Sequence, residues 1–600
     1  MLLRLLMYLA PLVGILGLYV AGRTQAVVHA EPGGDERIAT IHKAGKLSTD
    51  VVFNSRLRAL VIVAAAVFVA LALFLEASTG VAFLFGAGCA MATVYRGTIA
   101  ATEADVRTCE AARGTGEARA MRIAFEGGAV TGLSAASLAL VGIGALYWFC
   151  GDPSGASVLA GFMLGSSAVA LLVPATATDL LESYSGAIIA TVLIAAAMSK
   201  LALVTIGTGL VEVETLQSQL MMYPLVMGVL GLLASLAGIY AFDRVDGRGS
   251  RTALRYSVSI AGGMFLLAAA SVTTMTDISR VVWWALAAGS VGGMAIGIVG
   301  QFNASSPAPA LQVPGSVGAG LLGEMAAVIE NPALPVLAII CACIFICGEA
   351  AGIYGVGIGA VGMLATLAAT LTIDAYGSIA GEAGRLSDKA DLDAHVGGVI
   401  EGLKAAGAAA TAGRKGFAAA ASTLTAVSLF LAYALAINVV RARQGHDAME
   451  IAVTDPRVVI GLFIGGVTSF LLASLCRRAV QHATVADPGA SASPEVRERI
   501  TLTVVAIAGP VLLGALVGPE AVGGMLAGAT VCGTLLSLSA APLVAATSID
   551  QVEMETTGPA RLAVAADVTG DAFRRNDVPS INVLVKVMSI VSLVLAPLLA

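Results

Sequence analysis

The sequence predicts an all-α polytopic membrane protein, a bundle of about sixteen transmembrane helices. Of the 600 residues, 58% are hydrophobic and only 12% are charged, and the mean hydropathy is +0.89. Soluble globular chains carry about a quarter charged residues. The 69 glycines suit closely packed membrane helices, because contacts between such helices are rich in small residues.

Sixteen apolar runs follow one another along the chain, and a spanning helix needs about twenty mostly apolar residues. They lie at 2–21, 59–76, 80–99, 124–149, 156–173, 176–198, 217–241, 256–274, 281–301, 332–350, 353–373, 416–440, 458–475, 501–518, 520–545 and 580–599. The first run is interpreted as a spanning helix, because no small-residue cleavage site followed by a soluble domain is found after it. We therefore expect a single transmembrane domain over residues 1–600, with helices 1 and 2 (residues 1–79) at its periphery.

The distribution of Lys and Arg predicts the orientation of this bundle. About 26 of the 34 basic residues lie in connections that follow odd-numbered helices, and about five lie in connections that follow even-numbered ones. Cytoplasmic loops carry the excess of Lys and Arg. The asymmetry predicts a multi-pass protein of the cell (plasma) membrane with both termini outside.

Composition also limits the partners that the chain is expected to have. A net charge of −6 gives no reason to expect a nucleic-acid partner. The five histidines fall in or near loops, and the cysteines have no metal-ligand spacing. The lipid bilayer is the one partner that composition predicts directly.

Two predicted helices carry charges within the membrane, where charges are costly and usually functional. Asp179 and Glu182 are three residues apart in the sixth helix and so share a face. Lys586 lies in the last helix, with Asn582 four residues earlier on the same face. Two interpretations stay open: a structural ion pair, or a site at which an ion binds and moves.

Several stretches resemble the helices of membrane-bound pyrophosphatases, the pyrophosphate-energized proton or sodium pumps. They are VRTCEAAR (106–113), AFEGGAV (124–130), YGVGIGAVGMLATLAATLTIDAYG (354–377), KGF (415–417), GLFIGG (461–466), GGMLAG (523–528) and PSINVLVKVM (579–588). The resemblance runs in order from about residue 80 to the C-terminus. It implies that residues 80–600 form pyrophosphatase-like helices 3–16, that both termini lie outside and that the protein is a homodimer.

The resemblance fails where pyrophosphate would be hydrolysed. The family holds magnesium ions with a long segment between its fifth and sixth helices, which supplies a lysine and a series of aspartates. Here residues 171–178 join the two helices directly, and the family motif D-N-A-G-G reads GEAGR at 381–385. The resemblance leaves Asp374, Asp567 and Asp571 as residual Mg²⁺ ligands, while the family's last carboxylate is replaced by Arg575. We expect hydrolysis to be lost.

The family's ion gate, in contrast, is matched in full. The resemblance maps it onto Ser166, Asp179, Glu182, Asn582 and Lys586. It also implies that the fifth, sixth, eleventh, twelfth, fifteenth and sixteenth helices surround a central path. Because the connection before Asp179 is short, the sixth helix is expected to begin lower in the membrane, with the gate beneath an open cytoplasmic funnel.

Three functions remain as hypotheses. The first is a membrane pyrophosphatase-like protein that no longer hydrolyses pyrophosphate and acts in ion transport or as a non-catalytic paralogue. The second is an active, divergent pyrophosphate-energized proton or sodium pump. The third is a transporter of a soluble ligand on the same scaffold, for which no residue argues. Retained magnesium-dependent pyrophosphatase activity would separate the first two hypotheses.

Overall fold

The computed structural model describes residues 2–34, 38, 57–58, 60–153, 155–173, 176–209, 211–242, 250–305, 317–390, 392–485, 493–546 and 578–599. Its helices are α1 (Leu2–Tyr8), α2 (Ala10–His29), α3 (Leu60–Phe74), α4 (Ala77–Gly114), α5 (Glu117–Cys150), α6 (Leu159–Leu172), α7 (Thr176–Ala197), α8 (Lys200–Ile206), α9 (Val213–Phe242), α10 (Ser250–Thr274), α11 (Arg280–Ser305), α12 (Val317–Leu364), α13 (Leu367–Ala390), α14 (Ala394–Gln444), α15 (Pro456–Val485), α16 (Ser493–Leu516), α17 (Pro519–Ala546) and α18 (Val578–Leu599). A 3₁₀ turn, Ala156–Val158, precedes α6.

The predicted all-α polytopic bundle is confirmed. Within the described ranges, twelve helices are long and apolar enough to cross a membrane, and three shorter apolar helices accompany them. The three shorter ones, Leu60–Phe74, Ala156–Leu172 and Thr501–Leu516, coincide with the second, fifth and fourteenth predicted runs. The short helix α8 was not predicted from sequence, since seven residues are too few to give an apolar run of spanning length.

The tenth predicted helix and the first part of the eleventh lie within α12, and the chain reverses between them; the eleventh continues into α13 after a break at residues 365–366. Ala351 and Gly352 have non-helical backbone angles, and the φ of Gly352 is +59°, in the left-handed region that favours glycine. A Cβ added at Gly359 would lie 2.4 Å from Cys347 Sγ. Residues twelve apart in a straight helix would be about 18 Å apart. The boundary predicted at residues 351–352 is therefore a tight hairpin.

The most deeply buried helices form the centre of the bundle. In the most apolar stretches of α7 and α18, 83% of the residues are buried, against 28% in α2 and 33% in α15. Helix α7 contacts α6, α12, α14 and α18, and α17 contacts both α14 and α18. These are the helices expected around a central path. Helix α5, at 78%, is also deeply buried between α2, α4 and α13, which sequence analysis did not predict.

Two of the glycine-rich family stretches have a packing role in the contact between α15 and α17. A Cβ at Gly461 or Gly465 would lie 1.9 or 2.0 Å from a backbone oxygen of α17. A Cβ at Gly524 or Gly528 would meet backbone oxygens of α15 at 2.1 and 2.2 Å. Each helix thus presents two glycines spaced four apart, the pattern that lets membrane helices approach closely.

Candidate ion-binding cluster

Three helices bring the charged intramembrane residues together. Asp179, Glu182 and Ser183 lie at spacings of three and four residues on α7 and therefore share one face. Helix α18 supplies Lys586, and α6 supplies Ser167 from the opposite side. We call these five residues the ion cluster. The cluster lies at the centre of the bundle, because α7 contacts both α6 and α18.

The ammonium group of Lys586, on α18, contacts both carboxylates of α7. Its Nζ lies 2.9 Å from Asp179 Oδ1 and 2.8 Å from Glu182 Oε2. It also donates to Ser183 Oγ at 2.7 Å and to the main-chain oxygen of Asp179 at 3.3 Å. Lys586 thus contacts both carboxylates of α7.

A serine holds the far side of Glu182. Ser167 Oγ donates to Glu182 Oε1 at 2.5 Å, so each carboxylate oxygen of Glu182 has a polar neighbour. Ser183 Oγ donates to the main-chain oxygen of Asp179 at 3.0 Å, and Thr425 on α14 donates to the main-chain oxygen of Ser183 at 3.2 Å. The bonds from Ser167 and Thr425 hold α7 against α6 and α14 at the level of the two carboxylates, whereas the Ser183 bond lies within α7.

Burial makes the charge balance of the cluster important. Glu182 and Lys586 are fully buried, and Asp179 is 3% exposed. With both carboxylates ionised and Lys586 protonated, the cluster would carry a net charge of −1. An unbalanced charge in the interior of a membrane protein is costly, since little water is present to solvate it. The arrangement can therefore accommodate one additional cation, such as a proton.

Two residues predicted for the gate lie beside the cluster. Ser166 is fully buried, but its hydroxyl donates to the main-chain oxygen of Met163 in its own helix, at 2.9 Å. Asn582 Oδ1 accepts a hydrogen bond from Ser537 of α17. Ser167 and Ser183 were not among the residues predicted for the gate. The only available signal was their position, next to Ser166 and four residues after Asp179.

The described residues next to the gate are buried, and the open funnel above it stays a prediction, because residues 174–175, 486–492 and 547–577 lie outside the described residues. Val173, at the end of α6, is 4% exposed, and Ala177, Thr178 and Asp179 are at most 6% exposed. Val173 and Ala177, on either side of the connection, pack into the apolar core.

The residual hydrolytic residues do not form a site within the described residues. Asp374 is 3% exposed on α13, whereas Asp567 and Asp571 lie outside the described residues. Within the described part of the chain, no three His, Cys, Asp or Glu side chains come together as a metal site would require. The described residues therefore do not by themselves fit a bound Mg²⁺.

The two neighbouring serines of α6 provide a test of the cluster geometry. We expect Ser167→Ala to destabilise the protein by about 1.5–3 kcal/mol, because it removes a buried hydrogen bond to a carboxylate. Ser166→Ala is the matched control and should cost clearly less, since its hydroxyl serves only a main-chain oxygen of its own helix. Thermal unfolding of both variants in detergent measures the difference. A larger loss for Ser166→Ala would mean that the gate residue taken from the family pattern is the correct one.

Comparison with known proteins supports the resemblance seen in the sequence. A family model described as inorganic H⁺ pyrophosphatase matches residues 15–176, 173–486 and 490–595. The chain is 28% identical to a K⁺-insensitive pyrophosphate-energized proton pump of Methanosarcina mazei, over 99% of both chains. It is 27% identical to a K⁺-stimulated pyrophosphate-energized sodium pump of Thermotoga maritima, over 98% of both chains.

This chain is shorter than the pumps it resembles, and the family match breaks at two places along it. The alignment with the Thermotoga maritima pump spans 716 positions, so at least 116 of them have no counterpart among the 600 residues of this chain. The family match is interrupted at residues 173–176, the connection between α6 and α7. It is interrupted again at 486–490, between α15 and α16. The first interruption coincides with the short connection at residues 171–178 noted in the sequence.

Proposed function

The chain belongs to the inorganic H⁺ pyrophosphatase family, and from that premise we propose that it keeps the ion-handling cluster without hydrolysing pyrophosphate. The observation that carries the proposal is the fully buried contact of one lysine with two carboxylates at the centre of the bundle. In this role the protein acts in ion transport or as a non-catalytic paralogue of the pumps.

The charge balance of the cluster supports the transport part of the proposal. The net charge of about −1 is neutralised when one proton or one sodium ion binds beside Glu182. Movement of Lys586 away from one carboxylate would then change the affinity for that cation, because the ammonium is the main compensating charge. A cation can thus bind from one side of the membrane and leave to the other as α7 and α18 shift relative to each other.

Two departures of the sequence from the family pattern support the loss of hydrolysis. The family model breaks at the α6–α7 connection, and the motif at 381–385 has lost its aspartate. Removing one group that stabilises a transition state costs about 10²- to 10³-fold in rate. Asp374, Asp567 and Asp571 also offer few ligands for the magnesium that phosphate chemistry uses.

The alternative function is an active, divergent pyrophosphate-energized proton or sodium pump. It is favoured by the near-complete coverage of the two pumps and by the retention of Asp567 and Asp571. Under this alternative, magnesium would bind at the residual aspartates. The two functions differ in one property, the hydrolysis of pyrophosphate by the purified protein.

The proposal also covers the oligomeric state of the protein and its orientation in the membrane. We infer a homodimer from the family resemblance, and a cell-membrane location with both termini outside from the distribution of Lys and Arg. A mass measurement in mild detergent tests the dimer, and labelling of single cysteines placed near each terminus in intact cells tests the orientation.

The direct test of the transport function is ion flux through the reconstituted protein without pyrophosphate. Liposomes containing the purified protein should take up protons, or sodium ions, down an imposed gradient faster than protein-free liposomes. Parallel measurements with each ion identify the one that is moved. Equal uptake by the two kinds of liposome for both ions would contradict a transport role.

A further inference from the structure

A groove runs along the outer face of α2, and it shares no residue with the ion cluster. Its described lining residues are spaced three and four apart and so share one face of the helix: Tyr19, Gly22, Arg23, Ala26, Val27 and Ala30. All six are exposed, and α2 is long and apolar enough to cross a membrane. The groove holds about 480 Å³, the room of about sixteen water molecules at ~30 Å³ each. It therefore opens towards the lipid and has room for a phosphate group.

Arg23 gives the groove a positive charge that no described carboxylate balances. It lies six residues before His29, the last residue of α2, about 9 Å along the helix axis. Its side chain is exposed, and among the described residues it forms no ion pair. Arginines at this distance from the end of a spanning helix extend their guanidinium to the level of the lipid headgroups.

A second guanidinium lies next to the groove at Gly22, the one described lining residue without a side chain. A Cβ at Gly22 would lie 4.0 Å from Nη2 of Arg96, which belongs to the apolar run at 80–99 on α4. Arg96 Nε donates to Ser134 Oγ at 3.2 Å, but Nη2 is buried and has no hydrogen-bond partner among the described residues. Because a buried donor of a charged group is costly to leave unpaired, this nitrogen needs an acceptor.

Neighbouring arginines at the same end of the bundle are bound by the protein itself. Arg107, eleven residues further along α4, donates to three main-chain oxygens at 2.8–3.2 Å. Arg119 on α5 forms an ion pair with Glu31. Arg23 and Arg96 have no carboxylate or main-chain acceptor within the described residues. Both therefore present their charge to an anion that approaches from the lipid.

We propose that the groove binds an anionic phospholipid of the cytoplasmic leaflet, with its phosphate between Arg23 and Arg96. The leaflet follows from the orientation that the Lys and Arg distribution predicts, in which α2 ends at the cytoplasmic surface. Arg23 binds the phosphate through its exposed guanidinium, and Arg96, which is half-buried as a whole, reaches it past Gly22. A lipid with a net negative charge is favoured, because two guanidiniums face one phosphate. The acyl chains continue past Tyr19, one turn nearer the bilayer centre, whose ring offers apolar surface.

Two sets of variants separate the charge of the groove from its shape. Arg23→Gln and Arg96→Gln each remove one charge, and Arg443→Gln, exposed at the end of α14, is their control. Gly22→Leu covers Arg96 with an apolar side chain, since only Nη2 lies within 4 Å of a Cβ at this position. Gly88→Leu is its control, because a Cβ at Gly88 meets nothing within 4 Å and this residue is exposed on α4.

The experiment is native mass spectrometry of the full-length protein, delipidated in detergent and titrated with phosphatidylglycerol or phosphatidylcholine. The wild type, Arg443→Gln and Gly88→Leu should bind the first phosphatidylglycerol more tightly than further copies and more tightly than phosphatidylcholine. Arg23→Gln should weaken this first site about fivefold, the effect of one basic residue at a membrane surface. Arg96→Gln should weaken it about tenfold or more, since a hydrogen bond to a charged group is lost away from water. Gly22→Leu should lose the preference for phosphatidylglycerol.

Three results would overturn the proposal. The first is equal binding of the two lipids by the wild type, which would show that the groove does not distinguish charge. The second is an unchanged phosphatidylglycerol affinity in both Arg23→Gln and Arg96→Gln, which would place the lipid elsewhere on the protein. The third is displacement of the first phosphatidylglycerol by millimolar inorganic phosphate, which would make the groove a site for a soluble anion. Thermal unfolding of each variant is measured in the same detergent, and the exposed positions Arg23 and Gly22 keep the test decisive if Arg96→Gln fails to fold.

Discussion

Lys586→Met is expected to destabilise the protein by about 3–5 kcal/mol, the usual cost of removing one partner from a buried ion pair. Lys586 is fully buried and lies within 2.9 Å of oxygens from both Asp179 and Glu182. Its removal leaves two carboxylates without their compensating charge at the centre of the bundle. Thermal or denaturant unfolding in detergent measures the loss.

Lys404→Met is the matched control for this variant. Lys404 contacts Glu401 at 3.0 Å, but both side chains are substantially exposed, so the same substitution should cost less than about 1 kcal/mol. Combining Lys586→Met with Asp179→Asn and Glu182→Gln removes the charges that the lysine compensates and should restore much of the stability. If Lys586→Met proved as stable as Lys404→Met, the contacts of Lys586 with Asp179 and Glu182 would contribute little to the free energy of unfolding.

Glu182→Gln should abolish at least nine-tenths of the ion flux while the protein stays folded. The amide keeps a neutral group next to Ser167 and Lys586, but it neither binds a proton nor offers a charge to sodium. The remaining pair, Asp179 and Lys586, is balanced in charge, so no stability loss comparable to that of Lys586→Met is expected.

Flux into liposomes and unfolding temperature are measured on the same preparation of this variant. Glu401→Gln, which changes an exposed carboxylate in the same way, serves as the control and should conduct like the wild type. Unchanged flux through Glu182→Gln would remove Glu182 from the ion path and leave the cluster with a purely structural role.

Much of the bundle could be predicted from sequence because the membrane imposes a simple requirement, a long apolar run for each crossing. The same requirement made Asp179, Glu182 and Lys586 conspicuous, since a charge in such a run needs a partner. The hairpin at residues 351–352 was also predicted, as a short gap between two apolar runs. Each of these features depends on a few consecutive residues.

Features that depend on packing between distant segments could not be predicted. Ser166 and Ser167 are equally polar neighbours, and only the rotation of α6 against α7 decides which hydroxyl reaches Glu182. The burial of Asp179 depends on how the neighbouring Val173 and Ala177 pack into the core. The burial of α5 likewise results from contacts with α2, α4 and α13, which lie far from each other in sequence.

Hydrolysis of pyrophosphate by the purified, reconstituted protein tests the central claim most directly. Phosphate release is measured with magnesium, with and without potassium and sodium, beside an active pump of the family as the positive control. The proposed function predicts no release above that of protein-free liposomes, together with ion flux that Glu182→Gln abolishes. Magnesium-dependent release by the wild type that disappears in Asp571→Asn would contradict this account and identify the protein as an active, divergent pump.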